Sequence, residues 1–177
     1  MRKSLDFLYD AAGYLAAFFI FAIFAVMIGS TAMREFGLRT GGTDDLVAWF
    51  CAAGSFLAMA HTFRRGDFVR VGLLLEHLGE RARHRFEMLS LSVAAVFTGF
   101  LAFWAGRFVF DSWKFNDMAN GLIVIPLWIP QMSFVVGAFL LFVAVLDELV
   151  TVARGGRPGY VIATEERHAR GDFTEDV

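Results

Sequence analysis

AAGYLAAFFIFAIFAVMIGSTAM, residues 11–33, carries no charged side chain over its whole length. As a helix rising 1.5 Å per residue it is about 35 Å long, enough to cross a hydrocarbon core about 30 Å thick. Arg2 and Lys3 stand in front of it, and Arg34 and Glu35 close it. A basic start before an apolar run is also the pattern of a secretory signal. Here the run exceeds the 7–15 apolar residues of a signal core, and Gly29-Ser30-Thr31-Ala32 supplies no clear cleavage site. The stretch is therefore read as a retained signal-anchor helix.

The rest of the chain repeats this character. Of 177 residues, 57% are hydrophobic and 21 are Phe, while charged residues fall to 19%, against roughly 25% in soluble domains. Further spans are expected at about 44–62, 86–110 and 126–148, each near the length a bilayer demands. The expected fold is an all-α integral membrane domain over residues 1–154 with four transmembrane helices.

The second span has the weakest hydropathy. Thr43 is its expected N-cap, with Asp44 and Asp45 in a first turn whose dipole favours negative charge. Ala48, Ala52, Ala53, Gly54, Ser55, Ala58 and Ala60 make it rich in small residues. Small residues let helices approach closely where lipid gives no hydrophobic drive, so this span is expected to be enclosed by protein. Cys51 is read as a small buried side chain, and a lone cysteine excludes an intramolecular disulfide.

After Arg64-Arg65-Gly66 comes an amphipathic stretch at about 67–79, too short to span. Phe68, Val71, Leu74, Leu75 and Leu78 share one side at 100° per residue, and Arg70, Glu76, His77, Glu80 and Arg81 share the other. That pattern predicts a helix lying in the membrane interface between the second and third spans. In the third span, Arg107 and Asp111 are four apart and placed to pair. The fourth opens on Pro126 and Pro130, each tolerated only in a first turn. Beyond Arg154, Gly155-Gly156-Arg157-Pro158-Gly159 breaks the helix, and residues 155–177 read as a disordered tail.

Basic residues fix an orientation. The N-terminus, the middle loop and the tail hold twelve; the two other loops hold four, counting Arg107 at the border. The positive-inside rule then places both termini in the cytoplasm.

The central turns of the four spans contain no ionisable residue, whereas pumps and transport centres carry them. His61 has no second intramembrane histidine with which to hold a haem. There is no phosphate-binding loop or zinc-helix motif. No catalytic, metal or cofactor-binding residue is expected, and a net charge of −2 implies no nucleic-acid partner. An accessory membrane subunit fits best; the alternatives are a membrane anchor of another inner-membrane complex and a small stand-alone exporter.

Two segments add specificity. One is Arg65-Gly66-Asp67-Phe68-Val69-Arg70-Val71. The other is Ile125-Pro126-Leu127-Trp128-Ile129-Pro130-Gln131, continuing to Gly137. With the acidic start of the second span, they resemble the small (DctQ-type) membrane subunit of tripartite ATP-independent periplasmic (TRAP) transporters. The resemblance covers about residues 5–150. Phe68-Val69 stands where that family commonly has His-Ile, and Gly72 where it has Asp. The resemblance implies an inner-membrane importer of an organic acid, such as a C4-dicarboxylate, driven by an ion gradient without ATP. Its partners would be a large DctM-type membrane subunit, a periplasmic substrate-binding protein and the lipid bilayer. Asp44, Asp45, Arg65, Asp67, Phe68, Arg70, Val71, Leu75, Leu78, Pro126, Trp128 and Pro130 are the expected interface or anchoring residues.

Overall fold

The computed structural model describes residues 2–38, 40–66, 79–156, 158–162 and 169. Four helices account for most of them: α1 (Arg2–Glu35), α2 (Thr43–Arg65), α3 (Glu80–Lys114) and α4 (Trp128–Ala153). All four are long and apolar enough to cross a membrane. The described residues contain no strand, only an isolated bridge between Met118 and Pro126. The expected interfacial helix falls on residues 67–78, outside the described ones.

Helix ends follow local chemistry. α1 stops at Gly37, whose φ of 72° is open to glycine. The Gly37 N–H donates to the Arg34 carbonyl and the Leu38 N–H to that of Met33, each at 3.0 Å, the paired bonds of a Schellman cap. Asn116, with φ 51°, ends α3 in the same way: its N–H reaches the Trp113 carbonyl and the Asp117 N–H that of Ser112. The α2 N-cap is Gly42 and no side chain caps it. Thr43 is already helical, correcting its expected capping role. Gly42 has φ 78°, and a Cβ there would lie 2.5 Å from Ile123 Cγ1, so the turn selects glycine. Asp44 and Asp45 do occupy the first turn. α4 begins at Trp128, after Pro126 and with Pro130 in its first turn, where the missing N–H costs no helix bond.

The main contacts run α1 to α2, α2 to α4 and α4 to α3. The helices therefore stand in a row with α2 and α4 at the centre. Burial agrees: 39% of the apolar window of α4 and 28% of that of α2 are covered, against 11% for α1 and for α3. Small residues set the close central crossings. Ala60 and Ala144 are fully buried and meet beside Tyr9. At Gly137 a Cβ would collide with the Phe56 carbonyl, so α4 rests on the α2 backbone itself. The expected enclosure of α2 holds on two sides only. Ala48, Cys51, Ala52 and Ser55 form an exposed strip, which corrects the expectation of a buried Cys51. A cysteine one turn off the two packed faces has no neighbour to cover it.

The chain beyond α4 also departs from expectation. Residues 159–162 are helical, and Tyr160, 7% exposed, packs with Leu91 and Val152. The stretch expected to be a tail thus begins with a packed turn, whose aromatic ring finds an apolar seat between α3 and α4. Arg107 is exposed, and it forms no ion pair with Asp111 among the described residues.

Candidate functional site

Chain alternation brings the N-terminus of α1 and the C-termini of α2 and α4 to one end of the row. Charged residues at those ends meet there. The Arg64 guanidinium donates from Nη2 to Asp6 Oδ1 at 2.9 Å. From Nη1 it donates to Asp147 Oδ2 at 3.0 Å and to Glu148 Oε1 at 2.9 Å. One planar cation thus joins three helices, a geometry that suits the fixed fork of Arg and not the point charge of Lys. The Arg64 side chain is 19% exposed and that of Glu148 is 0% exposed.

The second Glu148 oxygen is also used. Oε2 accepts the Gly159 N–H at 2.8 Å, so the segment following α4 is tied into the same knot. A Cβ on Gly159 would lie 2.6 Å from Glu148 Oε1, and glycine is what lets the strand of chain come this near. A carboxylate at the C-terminal end of a helix opposes the helix dipole. Two such acids on α4 persist because Arg64 and the Gly159 N–H compensate them. Tyr9, 1% exposed, lies among Leu5, Ala60 and Ala144 beside the knot. One turn further in, Asp10 Oδ1 lies 3.4 Å from His61 Nδ1, and a Cβ on Gly13 would be 2.8 Å from the His61 ring. α1 and α2 are therefore in close contact here as well.

Chemically this arrangement ties elements together. Among the described residues no three His, Cys, Asp or Glu side chains group to hold a metal ion.

The residues singled out from sequence fall at opposite ends of the row. Asp44, Asp45, Pro126, Trp128 and Pro130 lie at the end where α2 and α4 begin. There, a Cβ on Gly121 would collide with the Asp45 carboxylate, so the α3–α4 loop sits directly on the start of α2. That loop is held by bonds from the Ala119 N–H to the Ile125 carbonyl and from the Leu127 N–H to that of Asp117, each 2.9 Å. Arg65 lies at the knot end and is exposed. Asp67, Phe68, Arg70, Val71, Leu75 and Leu78 lie outside the described residues. Sequence reading did not take Asp6, Arg64, Asp147 or Glu148 as candidate site residues. Their signal was available: two spans of the same direction both end in charge, a base on one and an acid pair on the other.

A family model described as Tripartite ATP-independent periplasmic transporters, DctQ component, matches residues 23–155, three quarters of the chain. No curated protein matches the sequence.

Proposed function

Because the chain belongs to the DctQ component family of TRAP transporters, we propose that it is the static scaffold on which a larger membrane subunit moves its cargo. The family is one of small permease subunits and not of enzymes, and four apolar helices make this member a multi-pass membrane protein. On this reading a large DctM-type subunit carries the substrate and ion sites. A periplasmic binding protein delivers an organic acid, and an ion gradient drives import without ATP.

The observation that carries the proposal is the Arg64 knot, which joins α1, α2, α4 and the Gly159 segment at one end. A part that must stay still while another moves benefits from such a tie. The exposed small-residue strip of α2, Ala48, Cys51, Ala52 and Ser55, would admit a partner helix at close range. The amphipathic stretch at about 67–79, with Phe68, Val71, Leu75 and Leu78 turned to the acyl chains, would resist tilting. Asp44, Asp45, Pro126, Trp128 and Pro130 would shape the outer end, where the binding protein docks.

Reconstitution tests the role. The purified chain alone in liposomes should show no gradient-driven uptake of a dicarboxylate. Adding the large subunit and binding protein should restore it, and full uptake without this chain would end the scaffold reading. Topology is a separate test. With both termini cytoplasmic, as twelve basic residues against four suggest, reporters fused at Val177 should register cytoplasm and those near Asn116 periplasm. A periplasmic signal from Val177 would overturn the orientation.

A further inference from the structure

A groove of about 590 Å³ runs along α1, lined by Phe7, Asp10, Ala11, Tyr14, Leu15 and Phe18. These positions recur at three- and four-residue spacings and so form one stripe. Tyr9, Ala12 and Ala16, at most 4% exposed, face the bundle, whereas Phe7, Tyr14 and Phe18 are 72%, 79% and 59% exposed. Apart from Asp10, whose carboxylate reaches His61 on α2, the stripe is turned away from the other helices.

Its composition is unusual for a surface that only greases a helix against lipid. Asp10 sits in the stripe with its side chain 59% exposed. It directly precedes the apolar run that starts at Ala11, which puts it at headgroup depth. Tyr14 and Phe18 follow about 6 and 12 Å deeper by helical rise. One Asp10 oxygen contacts His61, but an ionised carboxylate offers about four lone-pair sites, which leaves capacity for another donor. Phe7 and Tyr14 line the same groove three residues before and four after Asp10, and aromatic faces attract cations. The Tyr14 hydroxyl can turn back towards the headgroups while its ring stays in the apolar layer.

We propose that this groove holds one aminophospholipid of the leaflet at the N-terminal end of α1. The primary ammonium sits on Asp10, the Tyr14 hydroxyl donates to the phosphodiester, and the first acyl methylenes lie along Leu15 and Phe18. Among the described side chains that line the groove none is a cation, and the Asp10 carboxylate itself repels an anionic headgroup. A choline headgroup keeps the attraction to the rings but has no N–H to give the carboxylate. The site rests on the bilayer placement of α1 and is independent of any role in transport.

The test uses the assembled complex in nanodiscs holding equal fractions of phosphatidylethanolamine, phosphatidylcholine and phosphatidylglycerol, with native mass spectrometry of the lipid retained. Phosphatidylethanolamine should dominate. Asp10→Asn should lower its retention about tenfold, the worth of one charge-assisted hydrogen bond, and Tyr14→Phe should lower it less. Asp10→Asn also disturbs the contact with His61, so His61→Gln is the control and should leave retention unchanged. Equal retention of phosphatidylglycerol would overturn the site. So would an Asp10→Asn variant that keeps its lipid, or a His61→Gln variant that loses it. A photo-cross-linker at Phe18 should label lipid. If it labels the large subunit or a second copy of the chain, the groove is a protein interface and the proposal fails.

Discussion

Arg64→Met will cost the folded chain about 3–5 kcal/mol, the penalty for leaving buried charges without their partner. The stranded groups are specific. Glu148 is fully enclosed, and its Oε1 has no other hydrogen bond among the described residues. Asp6 and Asp147 lose the same cation. A loss of this size is a large fraction of the roughly 5–15 kcal/mol that holds a typical protein folded. Arg64→Lys keeps the charge but cannot fork to three carboxylates at once, so its cost should be intermediate. The double variant Arg64→Met with Glu148→Met should recover part of the loss, because it removes the one fully enclosed carboxylate while Asp6 and Asp147, both partly exposed, still lack their cation. Gly159→Val approaches the same failure from the other side, since its side chain would displace the Glu148 carboxylate from the guanidinium. Thermal unfolding of the purified chain in detergent, read by loss of the monodisperse peak, ranks these variants. If Arg64→Met melts with the parent, the knot is ornamental and the scaffold argument loses its support.

A single substitution should have opposite signs at two glycines. Gly→Ala inside a helix ordinarily gains about 0.5–1 kcal/mol. Gly106 on α3 has nothing within 4 Å of a new Cβ, so Gly106→Ala should raise the melting temperature. Gly137 on α4 has the Phe56 backbone in that space, with its Cβ also 2.8 Å away. Backbone cannot swing aside as a side chain does. Gly137→Ala should destabilise by about 1–3 kcal/mol, and Gly137→Val by more. The comparison runs in one assay under one condition. Matching shifts at the two sites would mean that α2 and α4 do not cross where the structure has them.

Much of this architecture is legible in the sequence because a bilayer allows so few solutions. A run such as residues 11–33 must be a helix, since no other conformation satisfies its backbone in hydrocarbon. Gly37, Gly66 and Gly155 mark three helix ends by the same glycine chemistry that reads as a break. Asn116 ends a helix just as well but looks like any polar loop residue. The row order of the helices is not legible, because it depends on which faces carry small residues at matching depth. Gly137 and Phe56 are 81 positions apart, and nothing local links them. The knot was half visible. Asp147 and Glu148 stand out as acids at the end of a span, and their neighbour in space is a base at the end of another. Reading each span edge by itself conceals the meeting. Tyr160 was masked by its surroundings, since glycines and a proline on one side and charges on the other look like an unstructured tail.

The spacing of the knot along the chain also bears on how the protein is made. Arg64 meets Asp6 from 58 positions earlier, already in the membrane when Arg64 leaves the ribosome. Its other two partners arrive 83 and 84 positions later. At translation rates of about 5–20 residues per second, Arg64 waits on the order of ten seconds for them. During that interval the hairpin of α1 and α2 is an unfinished product with one acid on its guanidinium. Arrival of Glu148, and then of Gly159, closes the structure only when the last span is in place. A chain that stalls or is cut before that point keeps an arginine with one of its three carboxylate partners.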